Sequence, residues 1–135
     1  MAKILLIEDD GEVCEIVKEA MKEYDFDTCN DLIEAEAFLS SSSYNLILSD
    51  INLPDGDSLT LLTRYVVSME KVPPILLMTG SNDRELVKKA IKIGVDGFID
   101  KPFTLTEIKV AIKKALVLDK PDFSSKFRRT VKASI

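Results

Sequence analysis

The chain has 135 residues, 46% hydrophobic and 30% charged, with a formal net charge of −5. This is the size of one domain and the balance of an ordinary globule, which excludes collagen, coiled coil and wholesale disorder. With no His and no Trp, Ser-His triads, His-ligated zinc and His-based acid–base chemistry are excluded, and the apolar runs fall far short of the roughly 20 residues of a membrane span.

The opening, MAKILLIEDD, carries a short apolar run with two acids directly behind it. A signal peptide needs a longer run and a small-residue cleavage site, so a cytoplasmic protein is expected. Lys3 to Ile7 reads as a buried strand. Val13, Ile16, Val17, Ala20 and Tyr24 then recur at helical spacing. Phe26 to Cys29 is a second, weaker strand. Asp31 to Leu39 reads as a helix opened by Asp31 with Glu34 three residues on, and ended by the serines Ser40 to Ser43. Leu46 to Leu48 is a third strand, stopped by Asp50. Leu53-Pro54-Asp55-Gly56 is a turn. Leu59, Leu62, Val66 and Met69 mark a helix face, broken by Pro73 and Pro74. Ile75 to Met78 is a fourth strand. Asn82 to Glu85 has a capping-box pattern before Leu86, Ala90 and Ile93, and Gly94 closes that helix. Gly97 to Ile99 is a fifth strand. Thr104 and Glu107 form a capping box before Leu105, Ile108, Ile112 and Leu116. Cys14 and Cys29 make no framework and read as small hydrophobes.

Strict alternation with continuous apolar strands predicts an α/β fold, a five-stranded parallel sheet covered by helices on both faces. Right-handed crossovers leave few topologies, and five units point to the flavodoxin-like doubly wound order 2-1-3-4-5.

Ligands of such sheets bind at the carboxyl ends of the strands, beside the switch in strand order. Strand one ends at Glu8, Asp9 and Asp10, strand three at Asp50, strand four at Thr79, and strand five just before Lys101. Three carboxylates from adjacent strands therefore converge with a hydroxyl and an ammonium. Their repulsion calls for a cation, and hard oxygen ligands suit Mg²⁺. The same set suits a phosphoryl group, with Asp50 as nucleophile, Glu8 and Asp9 on the metal, and Lys101 and Thr79 on phosphoryl oxygens. Taken singly, each residue has an ordinary explanation. Asp10 and Glu12 need only a helix N-terminus, a lone Thr is a cap, a lone Lys is solvated. It is the combination at four strand ends that points to chemistry.

The segments ILLIEDD, LILSDINLPDGDSL, ILLMTG and GVDGFIDKPF resemble the receiver domains of two-component response regulators, in order and spacing over residues 3–118. The resemblance implies that Asp50 accepts phosphate from a phosphohistidine of a histidine kinase or a histidine phosphotransfer protein. Glu8, Asp9, Asp50 and the backbone carbonyl of Asn52 would hold Mg²⁺. Thr79 and Lys101 match the family's hydroxyl and lysine positions, Phe98 falls at the switch-aromatic position, and the Lys101–Pro102 bond matches one that is cis in the family. Phosphorylation would draw Thr79 inward, turn Phe98 and change the surface of the fourth helix, fifth strand and fifth helix, through which a homodimer can form. Asn52 and Ser81, polar and uncharged, are expected to tune phosphate loss only modestly.

A Mg²⁺-dependent phosphohydrolase would want an acid or base two residues past its aspartyl nucleophile, where Asn52 stands, and a cap domain. A degenerate receiver, acting without phosphate, is at odds with the intact set. The expected domain therefore spans residues 1–118, a signalling phosphoacceptor rather than an enzyme. Residues 119–135 form a basic tail or linker, with 5 basic and 2 acidic side chains, too short for a helix-turn-helix output domain. The acidic body argues against nucleic-acid binding, and no membrane contact is expected.

Overall fold

The computed structural model describes residues 2–69, 71–80 and 82–118, so the 119–135 tail and Ser81 lie outside the described residues. The chain alternates as the hydrophobic pattern predicts: β1 (Lys3–Ile7), α1 (Gly11–Ala20), β2 (Asp25–Cys29), α2 (Leu32–Ser41), β3 (Leu46–Asp50), a small hairpin of β4 (Asn52–Leu53) and β5 (Gly56–Asp57), α3 (Leu59–Ser68), β6 (Ile75–Thr79), α4 (Arg84–Ile93), β7 (Gly97–Asp100) and α5 (Leu105–Leu116). The main sheet has the order β2-β1-β3-β6-β7 and every pairing in it is parallel. With the hairpin set aside, this is the expected 2-1-3-4-5.

Continuous apolar strands still alternate their faces, because successive side chains project to opposite sides. Leu5, Ile7, Ile47 and Leu77 pack against Ala35, Leu39, Leu62, Tyr65, Val66 and Ala90 of α2, α3 and α4. Ile4, Leu6, Leu48 and Met78 pack against Val17, Ala20, Ile108 and Ile112 of α1 and α5. Each fully buried Leu or Ile contributes about 1.5–3 kcal/mol relative to exposure. Both layers grip the same five strands, so the loops at their carboxyl ends stand on a rigid base.

Capping chemistry sets the helix ends. Asp10 accepts a hydrogen bond from the Glu12 N–H and Asp31 one from the Glu34 N–H. Thr104 and Glu107 complete the expected capping box. Gly94 closes α4 at φ 85°, a left-handed conformation that costs glycine nothing.

Several expectations shift. Helix α1 ends at Ala20, and Tyr24 lies beyond it. Helix α2 runs on to Ser41, because the Ser40 and Ser41 hydroxyls donate back to the carbonyls of Glu36 and Ala37 inside the last turn. The turn at 53–56 is the tip of the antiparallel β4–β5 hairpin. The capping box expected from Asn82 to Glu85 does not form: Asp83 is the N-cap residue and makes no capping bond, since its carboxylate is engaged elsewhere. Leu105, in the apolar spacing of α5, is 44% exposed. It is the first residue of α5, where the helix has only begun to close on the sheet.

Candidate functional site

Glu8 and Asp9 behind β1, Asp50 at the end of β3 and Lys101 behind β7 come together in a single region. Glu8 follows β1 and is 1% exposed, Asp50 ends β3 and is partly buried, and Asp9 is exposed. One carboxylate oxygen from each of the three lies within 4.8 Å of the others. Lys101, just past β7, donates from Nζ to Asp50 Oδ2 at 3.1 Å and touches Glu8 Oε1. The other Glu8 oxygen accepts from the Asp10 N–H at 3.1 Å.

Burial pushes the Glu8 carboxyl up to about 7; the Lys101 ammonium and the Asp10 N–H oppose the rise, and the Asp50 charge adds to it. Burial works against the Lys101 ammonium, but its bonds to Glu8 and Asp50 outweigh that and hold its pKa above the ordinary lysine value. The region therefore contains more negative than positive charge, with a lysine that stays protonated.

The other residues singled out from the sequence take distinct places. Thr79 ends β6 and is 4% exposed. Its hydroxyl donates to Asp100 Oδ1 at 3.1 Å, and its carbonyl accepts from the Lys101 N–H at 2.7 Å. Lys101–Pro102 is cis, as the resemblance implies. Asn52, in β4, donates its side-chain amide to Asp83 Oδ1. Phe98 pairs in register with Leu77 and packs, partly buried, on the core layer of α2, α3 and α4, apart from the acidic group. Cys14 and Cys29 are free thiols. Burial raises both, Cys29 to about 12, so neither offers a thiolate. Cys14 Sγ donates to the Glu8 carbonyl at 3.6 Å.

Two carboxylates went unnoticed in the sequence. Asp83 is 5% exposed and joins the Gly80 N–H, at 2.6 Å, to the Asn52 amide. It thereby ties the β6 loop to the β4–β5 hairpin. Asp100 holds the Thr79 hydroxyl. Both lie within four residues of a recognised site residue, but each has a partner far away in sequence, Asn52 for Asp83 and Thr79 for Asp100. The one usable signal was the pairing of the β6 and β7 ends, which sets Asp100 beside Thr79.

This architecture, acids at two strand ends and a lysine behind a third, defines a class of signalling domain. The response regulator receiver domain family model matches residues 4–113, and the chain belongs to that family. It is 32% identical over 114 residues to the transcriptional regulatory protein CrdR of Helicobacter pylori, a match covering 83% of this chain and 54% of CrdR. It is 29% identical over 116 residues to the chemotaxis protein CheY-3 of Vibrio cholerae, covering 83% of this chain and 89% of CheY-3. Among solved structures, a two-component response regulator from Clostridium difficile superposes with a TM-score of 0.76 at 30% identity, over 86% of this chain and 96% of that one. The chain spans about half the length of the curated transcriptional regulators it matches. Among the described residues, no helix is long and apolar enough to cross a membrane.

Proposed function

We propose that residues 1–118 are a phosphoacceptor switch of two-component signalling, in which Asp50 takes a phosphoryl group from a phosphohistidine. The donor is a histidine kinase or a histidine phosphotransfer protein. The observation that carries this reading is the gathering of Glu8, Asp9 and Asp50 around one point, with Lys101 bonded to Asp50.

An Asp50 oxygen attacks phosphorus in line, the new O–P bond forms as the P–N bond to the donor imidazole breaks, and the imidazole keeps the bonding pair. Lys101, held protonated, places a compact positive charge beside the incoming oxygens. The Thr79 hydroxyl, a neighbour on β6, donates to another. The donor set fits a hard divalent ion: three carboxylates, one exposed at Asp9, suit Mg²⁺ better than a softer metal. Glu8, Asp9, Asp50 and the Asn52 carbonyl would hold it, and when bound it neutralises charge on the transferred group. The buried Glu8 gains most from such an ion, because the same burial that raises its carboxyl makes an uncompensated charge costly there.

The output is a change of surface. A phosphoryl group adds negative charge and strong acceptors. It draws Thr79 inward and releases Phe98 to a new position, which reshapes the surface of α4, β7 and α5. Along that surface, a groove of about 630 Å³ is lined by Phe98, Ile99, Val110, Ala111, Lys114 and Leu118. It suits a partner, an output domain or a second copy on phosphorylation. The chain assists its own phosphorylation and dephosphorylation and turns over no separate substrate. It works in the cytoplasm, with no direct contact to nucleic acid or membrane, and the 119–135 tail serves as linker or docking segment.

Incubation with Mg²⁺ and acetyl phosphate tests the reading by intact-mass spectrometry. A gain of one phosphoryl group that disappears in Asp50→Asn is expected. Steady phosphate release over many turnovers would make it a phosphohydrolase instead, and no covalent change would make it a phosphate-independent module.

A further inference from the structure

We propose that Asp100 is a positioning residue that holds the Thr79 hydroxyl off the phosphoryl site, so that breaking the Thr79–Asp100 bond is part of the cost of switching. This rests on the phosphoacceptor reading above and concerns the regulation of that same site.

A threonine hydroxyl has one proton to donate. Here it goes to Asp100 Oδ1 at 3.1 Å. A proton committed there is not offered to a group on Asp50. The backbone fixes the arrangement: Thr79 and Asp100 are partners in the β6–β7 ladder, and the Lys101 N–H donates to the Thr79 carbonyl at 2.7 Å. Two consecutive residues thus act oppositely. Lys101 carries its ammonium to Asp50 and Glu8, while Asp100 draws the hydroxyl sideways along the sheet.

The acceptor is a carboxylate, so the bond is charge-assisted. Thr79 is buried, but Asp100 lies at the exposed end of β7, where water can replace the hydroxyl once it leaves. The bond is therefore strong enough to bias the hydroxyl and weak enough to be exchanged for a phosphoryl oxygen. Phe98 and Asp100 are two residues apart on one strand and project to the same face. Release of the hydroxyl from Asp100 thus occurs on the side of β7 where Phe98 packs. This gives the threonine and the aromatic a shared physical neighbour.

Beryllofluoride with Mg²⁺, titrated calorimetrically into the full chain, provides the phosphoryl probe. Asp100→Ala frees the hydroxyl and is expected to bind about fivefold tighter than wild type, the equivalent of one typical net hydrogen bond. Asp100→Asn removes the charge yet keeps a neutral Oδ1 acceptor, so the bond weakens without vanishing and the gain should be clearly smaller than in Asp100→Ala. In a Thr79→Ala background, Asp100→Ala should change nothing, closing the double-mutant cycle. Equal gains in Asp100→Ala and Asp100→Asn would make the effect plain charge removal and overturn the proposal. So would an undiminished gain without Thr79, or no gain in Asp100→Ala at all. Wild type that takes no beryllofluoride would instead overturn the phosphoacceptor reading, and this inference with it.

Discussion

Replacing Lys101 with Met keeps an unbranched stem and deletes the ammonium. That ammonium touches Glu8 and donates to Asp50 at 3.1 Å; its own side chain is 23% exposed, against 0% for Glu8 and 13% for Asp50. Removing one partner of a fully buried ion pair costs about 3–5 kcal/mol. Two features reduce this: water reaches Lys101, and Glu8 can take up a proton. Because burial has already raised the Glu8 carboxyl to about 7, at pH 5 it is largely neutral and the ammonium serves Asp50 alone. Its loss there removes one ion pair that water partly screens, about 1 kcal/mol. At pH 8 the variant must either strand the Glu8 charge or hold its proton against solvent, and the cost rises to about 2–3 kcal/mol. Lys101 itself does not blur the comparison. Its folded pKa is raised, so its contribution is complete below the ordinary lysine value and fades only as pH rises through the folded one, above both conditions. Urea unfolding of wild type and Lys101→Met with chelator, at pH 5 and pH 8, reads both numbers. An equal cost at the two pH values, or one below about 0.5 kcal/mol as for an ordinary surface change, would refute the reasoning.

The raised Glu8 carboxyl also makes metal binding proton-linked. A folded pKa above the unfolded 4.5 gives stability that is present at low pH and lost as pH climbs from 4.5 through about 7. Mg²⁺ should restore it by taking the deprotonated form, so the Mg²⁺-induced rise in Tm should grow between pH 5 and pH 7.5; a rise independent of pH would contradict this. Asn52→Asp sets a second carboxylate against the buried Asp83, and chemical denaturation should show a loss of about 1–3 kcal/mol, with an unchanged midpoint counting against the contact. Thr104→Ala removes the capping box of α5 and should cost about 1 kcal/mol by the same measurement; no loss would mean that the box adds nothing to the packed helix.

The central strands β1, β3 and β6 were legible because each is an apolar run with a polar stop, while β2, Asp25–Cys29, carries two acids and reads more weakly. The stops themselves, Glu8, Asp50, Thr79 and Lys101, then mark the end of the sheet where parallel folds keep their chemistry. What escaped depends on tertiary partners. Asp83 resembles an ordinary capping residue in sequence; only the approach of Asn52 and the Gly80 N–H turns it into a buried bridge. Asp100 reads as one more acid before a lysine until strand register sets it beside Thr79. The β4–β5 hairpin has two-residue strands, too short to carry any periodicity. Helix α2 outran its expected end because serine hydroxyls can satisfy carbonyls within a helix as well as terminate one. Leu105 fits the apolar spacing of α5, but its place in the first turn leaves it in water.

The measurement closest to the central claim is the position of the bond itself. After treatment with acetyl phosphate and Mg²⁺, borohydride reduces an acyl phosphate to the corresponding alcohol, and peptide mapping locates the residue. The account predicts reduction at position 50 alone, lost when Mg²⁺ is chelated. A modified residue elsewhere, or an unmodified peptide spanning Leu46 to Leu53, would contradict it.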